Sequence, residues 1–187
     1  MNQSRSISYA LLFALLTFSS AFTFIKKGDW FLLKAEEYGY QIEFPKEPKE
    51  NPQIIQSAIG ELKLNIFLYD ASTDNQKDEN LVYLVNFTTY PDSLVNSDDT
   101  AKLSGFYRGS IDGAVNNVQG KLLSEKEIEL GKFSGREVKI DFQQGRAIIN
   151  MRIFLIHNNM YMVQTITETK KDNNKAMKRF FDSFQLL

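Results

Sequence analysis

The side chains that could carry out chemistry in this sequence are few. His157 is its one histidine, so a Ser-His-Asp arrangement has a single possible base. No G-x-S-x-G turn supplies a nucleophile beside it, and the sequence contains no cysteine. We therefore interpret His157 as a surface residue beside a turn, and the sequence predicts no catalytic residue and no enzyme activity.

Glycines at a spacing of four are the nearest approach to a phosphate-binding motif. Gly105, Gly109 and Gly113 fall inside a predicted helix, with no strand leading into them and no GK[ST] ending. A phosphate role is therefore not indicated. Because glycine has no Cβ, we expect this helical face to pack closely on a sheet.

Clustered acidic residues could in principle bind a metal ion or transfer protons. The segment 70–80 lacks the Asp spacing and the central glycine of a calcium loop, and its charges favour a solvated hairpin loop. Glu125, Glu127 and Glu129 alternate along a predicted strand, which is typical of a solvated sheet face. The sequence predicts neither a metal nor a cofactor.

These residues must be positioned by strands and helices that hydrophobic periodicity and turn residues outline. Period-2 or continuous apolar runs predict strands at 30–34, 40–44, 62–68, 81–89, 122–130, 136–142, 146–156 and 160–167. Helical spacing predicts one helix from a cap at Asp98-Asp99 to Gly120. A final helix follows a cap at Asp172 and has one apolar face: Ala176, Met177, Phe180, Phe181 and Phe184.

The order of these elements predicts an α+β protein, mainly an antiparallel β-sheet with helices packed on it. We find no internal repeat, low-complexity tract or dividing linker, so residues 28–187 are expected to form a single domain.

The order of the elements and turns in this domain resembles that of the PsbP-like superfamily, an α/β/α sandwich. The similarity rests on short segments at 39–45 (GYQIEFP), 135–137 (GRE), 152–161 (RIFLIHNNMY) and 180–184 (FFDSF). The resemblance implies a fold. Because members of that superfamily act chiefly by binding other proteins or assemblies, it also implies a binding role by analogy.

Strand register brings one set of polar residues together. If Gln144-Gly145 is a two-residue turn, Glu137 lies opposite Arg152. If Asn158-Asn159 is another, Arg152 also lies opposite Thr165. Two further polar residues, Lys139 and Asn150, would flank this row on the same sheet face.

This polar row, Glu137, Lys139, Asn150, Arg152 and Thr165, has two interpretations. One is a cross-strand salt bridge that supports the sheet. The other is a recognition surface for a partner.

The N-terminal residues have the pattern of a targeting segment. A basic residue at Arg5, an apolar run at 7–18 and small residues at 19–21 predict a signal peptide over 1–21, with the mature chain starting at Phe22. The alternative is an uncleaved anchor, because 6–25 is uncharged and is flanked by Arg5 and Lys26. The protein is therefore expected to be exported, either periplasmic or secreted, or else membrane-anchored through 6–25.

The distribution of charged residues argues against a nucleic-acid partner. The 22 Lys and Arg residues are dispersed among 23 Asp and Glu residues, whereas nucleic-acid binding favours a clustered basic surface. The leading hypothesis is a non-enzymatic binding or assembly module of the bacterial cell envelope with a protein partner, contacting membrane only if the N-terminal segment is retained. The alternative is a small-ligand carrier with a pocket between sheet and helix.

Overall fold

The computed structural model describes residues 30–57, 59–73 and 78–187. Two α-helices lie in this part of the chain, α1 (Thr100–Asn117) and α2 (Lys175–Asp182). Its strands are β1 (Phe31–Ala35), β2 (Tyr40–Phe44), β3 (Lys49–Ser57), β4 (Gly60–Asp70), β5 (Asn80–Thr89), β6 (Lys121–Leu130), β7 (Phe133–Phe142), β8 (Ala147–Ile156), β9 (Asn159–Glu168) and β10 (Gln185–Leu186).

The strands form two antiparallel sheets. The larger has seven strands in the order β3-β4-β5-β9-β8-β7-β6, and the smaller has three in the order β1-β2-β10. Consecutive strands β6 to β9 pair as a meander, as short turns between antiparallel strands require. The predicted α+β class, mainly antiparallel sheet with helices packed on it, is confirmed.

The inner strand β8 has apolar residues on both faces because both faces of the large sheet are covered. Its residues alternate between two cores. Met151 and Ile153 face α1, where Tyr107 and Ile111 are buried. The α1 helix therefore closes one side of the large sheet.

The opposite side is covered by the small sheet and α2. Phe180 of α2 is fully buried, with its ring 5.0 Å from that of Phe44 and 5.1 Å from that of Tyr83. Phe184, just beyond α2, is buried in the same core. The apolar face predicted for the final helix is thus the face that docks.

Strand β8 belongs to two hairpins, β7-β8 and β8-β9, and the turn residues predict the register of only the first correctly. Glu137 lies opposite Arg152, as expected. The β8-β9 prediction is wrong by two residues, because the connecting pair is His157-Asn158 and Ile156 lies opposite Asn159. Arg152 consequently faces Val163, and Thr165 faces Asn150. A shift of two leaves every side chain on its predicted face.

The β8-β9 turn is set by its own contacts. His157 has φ 51°, a left-handed conformation that histidine adopts more readily than most residues. Its backbone N–H donates to Ser97 Oγ at 2.9 Å, while the Asn158 side chain donates to the Tyr90 carbonyl at 2.7 Å. These bonds to a distant loop select the turn, which the two asparagines alone do not determine.

The helix cap and two strands also differ from the sequence prediction. Asn174, not Asp172, caps α2, and its Oδ1 accepts from Met177 N at 2.7 Å. The sequence predicts a loop after Pro45 and Pro48, whereas the structure has strand β3 there, with exposed residues and Pro52 within it. It is an edge strand, where proline is tolerated. The two-residue β10 carries no periodic signal.

The predicted signal peptide at 1–21 and the alternative anchor at 6–25 lie outside the described residues. Neither helix within the described ranges has the length and apolar character needed to cross a bilayer.

Candidate functional site

The predicted polar row lies on the face of the large sheet that α2 covers. Arg152 is at its centre, with Nε 2.9 Å from Glu137 Oε2 and Nη1 3.3 Å from Asp182 Oδ1. Its guanidinium also lies over the Phe181 ring, 5.0 Å from the centroid. Since Phe181 and Asp182 belong to α2, Arg152 joins that helix to the sheet.

The other half of the row binds the segment that precedes α2. Lys139 Nζ lies 2.5 Å from Asp172 Oδ2 and 2.8 Å from Asn173 Oδ1. The Asn150 amide donates to Asp172 Oδ1 at 2.9 Å. Burial alone would raise the pKa of Asp172, but hydrogen bonds from Lys139 and Asn150 outweigh it and hold that pKa below its ordinary value. Asp172 is therefore ionised and used as a docking group.

Thr165 completes the row but takes no part in these bonds. It is fully buried, and its Oγ1 has no hydrogen-bond partner among the described residues. The structure thus brings all five predicted residues to one face. The side chains of four of them, all except Thr165, are hydrogen-bonded within the molecule. The side chains of Glu137 and Arg152 remain 31% and 27% exposed.

A second candidate site lies on the opposite face, between α1 and the large sheet. A pocket of about 350 Å³ opens there. It is lined mainly by apolar side chains, including Met151, Met160 and Met162 of β8 and β9. Ile55 of β3 lines the pocket and is 39% exposed, so the pocket reaches the surface beside the edge strand.

Two glycines of α1 lie at the rim of this pocket. Gly109 and Gly113 are exposed, and a Cβ added at either would meet no heavy atom within 4 Å. The expected close packing of this helical face on the sheet is therefore wrong. The helix contacts the sheet through Tyr107 and Ile111, and its glycines face away from that contact.

One polar group in the pocket lacks a partner. Asn86 of β5 lines the pocket and is only 8% exposed. Its Nδ2 donates to Thr88 Oγ1 at 3.3 Å, but its Oδ1 accepts no hydrogen bond from the described residues. Leaving a buried acceptor unsatisfied costs about 1–3 kcal/mol, so a donor that reached this oxygen would stabilise the protein.

Sequence reasoning raised a pocket between sheet and helix as an alternative but named no residue for it. Two signals were available. Asn86 is a polar residue in the otherwise apolar run LVYLVNF of β5, and the glycines recur every four residues along α1. Neither signal indicates a cavity until strand order and helix docking are known.

The remaining chemical candidates are surface groups. His157 is exposed, and its Nδ1 lies 3.7 Å from Asp98 Oδ2. Glu127 is solvated, as predicted, whereas Glu125 is held between Arg108 at 2.9 Å and Arg136 at 3.4 Å. Across the described ranges, no three His, Asp or Glu side chains come together as a metal site would need.

Comparison with solved structures gives a likeness of fold. No family model and no curated protein matches the chain. The solution structure of cyanobacterial PsbP (CyanoP) from Synechocystis sp. PCC 6803 is similar, with a TM-score of 0.45 and 9% identity. The similarity covers 87% of this chain and 95% of that chain. It agrees with the resemblance expected from the sequence and concerns the fold alone.

Proposed function

We propose that this protein is an exported, non-enzymatic binding protein that carries a small apolar molecule in the pocket between α1 and the large sheet. The observation that carries the proposal is the pocket itself. At about 350 Å³ it lies within the range of about 300–1,000 Å³ that small-molecule sites occupy. The basic and apolar N-terminal pattern supports export.

The lining of the pocket suits an apolar ligand of variable shape. Leu62, Leu64 and Ile149 supply aliphatic walls, and three methionines supply flexible side chains that adapt to irregular outlines. A core position of this size is ordinarily filled by the protein's own side chains, because interiors are close-packed. Here the α1 side of the pocket is lined by short side chains, including Ser110, Ala114 and Val118.

Native mass spectrometry of the protein purified from its own cell envelope tests this proposal. We expect a bound small molecule in the wild type and its loss in Ala114→Leu, because Ala114 lines the pocket and is partly buried against the core beneath α1. Ala101→Leu is the matched control, since Ala101 is exposed on the same helix and does not line the pocket. A wild type that carries no small molecule and does not bind the fluorescent probe 1-aminoanthracene contradicts the proposal.

The second candidate function is an assembly module that binds a protein partner through the polar row. The partial exposure of Glu137 and Arg152 favours it. Under this proposal Arg152→Ala folds normally and loses the protein captured from the native envelope. Glu127→Ala, at a solvated position outside the row, should retain it. Equal capture by both variants counts against a recognition role.

A further inference from the structure

We propose that Asn86 selects the ligand of the α1 pocket, and that this ligand is a neutral apolar molecule bearing one hydroxyl or N–H donor. The inference rests on the proposed carrier function. It adds the chemical class of the ligand and the residue that recognises it.

The position of Asn86 supports a recognition role. Its neighbours in the sheet are Ile66 on β4 and Met162 on β9, so the amide lies in an apolar region. A buried amide normally has its hydrogen bonds satisfied. Because Oδ1 has no partner among the described residues, a ligand donor would supply the missing bond.

Reaching this donor requires a small movement of the amide. Oδ1 is closed off from solvent in this structure. Among the described residues the amide makes one side-chain hydrogen bond, the 3.3 Å bond to Thr88 Oγ1, at the long end of the hydrogen-bond range. Rotation about the Cβ–Cγ bond has a broad profile, so the oxygen can turn toward a donor in the pocket.

The ligand is neutral because the pocket offers no counter-charge. No Asp, Glu, Lys, Arg or His is among the described residues that line it. An ionised group would lose its hydration there without an opposite charge to replace it. Gln164 lines the same pocket, so any further polar contact is also with a neutral group.

The volume sets the size of the ligand. An apolar cavity of about 150 Å³ holds benzene, which has six non-hydrogen atoms. By proportion, about 350 Å³ holds roughly fourteen non-hydrogen atoms. Two fused rings or a medium-length alkyl chain, with one donor at an end, meets this limit.

Two naphthalene derivatives test the inference on the full mature chain by isothermal titration calorimetry. 2-Naphthol has a hydroxyl donor, and 2-methoxynaphthalene has the same body but can only accept. We expect wild-type protein to bind 2-naphthol about tenfold more tightly, the effect of one hydrogen bond to a buried neutral group. In Asn86→Leu the difference should fall below about twofold, because the acceptor is gone.

Asn116→Leu is the control, because Asn116 is exposed on α1 and does not line the pocket. It should keep the preference for 2-naphthol. If Asn86→Leu fails to fold, the comparison of the two probes on wild type decides alone. Equal affinities for wild type overturn the role of Asn86 and leave the carrier function standing. If neither probe binds, or if Ala114→Leu binds both as well as wild type does, the carrier function itself is contradicted.

Discussion

Gly135 shows how a single residue sets the spacing of two strands. It lies opposite Phe154, and a Cβ at this position would sit 2.6 Å from Phe154 Cε1 and 2.7 Å from the Ile153 carbonyl oxygen. Real side chains do not approach this closely. Packing against Phe154 therefore requires glycine at the first residue of the Gly-Arg-Glu segment.

We expect Gly135→Ala to lower the free energy of unfolding by about 1–3 kcal/mol, the range for overpacking a filled core. Gly105→Ala is the control, because its added methyl group meets open space and a helical alanine is favoured over glycine. Urea denaturation of both variants measures the difference. A Gly135→Ala protein as stable as wild type would mean that β7 and β8 separate easily.

Asp172 gives stability a dependence on pH. Its pKa is lowered in the folded protein, so its contribution is present above the unfolded pKa of about 3.9 and is lost as the pH falls through the lower folded value. Asp172→Asn should therefore be less stable than wild type at pH 7, and the gap should narrow below about pH 4. Chemical denaturation at a series of pH values measures this.

Lys139→Met serves as the partner variant, because it removes the cation that pairs with Asp172. It should flatten the same part of the pH profile. If wild type and Asp172→Asn lose stability in parallel on acidification, Asp172 is not the group responsible.

At the residue scale the sequence predicted the Glu137 and Arg152 pair, because a turn between adjacent strands fixes which residues face each other. It misplaced Thr165 by two positions, since bonds from Ser97 and Tyr90 to the turn are not local. Asn86 was missed for a similar reason. Its Oδ1 lacks a hydrogen-bond partner among the described residues because it lies at the pocket beneath α1, and that helix is about 20 residues further along the chain.

At the scale of elements, α2 is the clearest success of periodicity. The sequence predicts the apolar face of this helix correctly because residues three and four apart share one side of a helix. It predicts a cap at Asp172 because aspartate is a good cap residue. In the structure Lys139 and Asn150 bind that carboxylate, so Asn174 caps the helix.

Phe180→Ala should lower the free energy of unfolding by about 3–5 kcal/mol, because it empties a fully buried site between two aromatic rings. Lys178→Ala, on the exposed side of α2, should change it by less than about 0.5 kcal/mol. Guanidinium denaturation gives both values. Similar midpoints for Phe180→Ala and Lys178→Ala would rule out the docking of α2 described above.

At the scale of the molecule, the fold class is predicted correctly because most strands are long and flanked by turn residues. The layers could not be assigned in the same way. Whether a segment covers one sheet face or the other depends on strand order. Strand β5 pairs with β4 and with β9, and β9 is far from β5 in the chain.

The N-terminal prediction also belongs to this scale. We expect the protein recovered from the cell envelope to begin at Phe22, because the small residues at 19–21 suit signal peptidase. Intact mass spectrometry of the native protein measures this directly. A mass that includes residues 1–21 indicates the anchor instead.

The small sheet places a constraint on the order of folding. Strand β2 pairs with β1 just before it and with β10 near the end of the chain, and one of the β2-β10 side-chain bonds joins Gln41 to Gln185 across 144 residues. Such distant contacts form late, because a long loop must close first. The aromatic core beneath α2 also contains Phe180 and Phe184, so it cannot be completed before these residues have been synthesised.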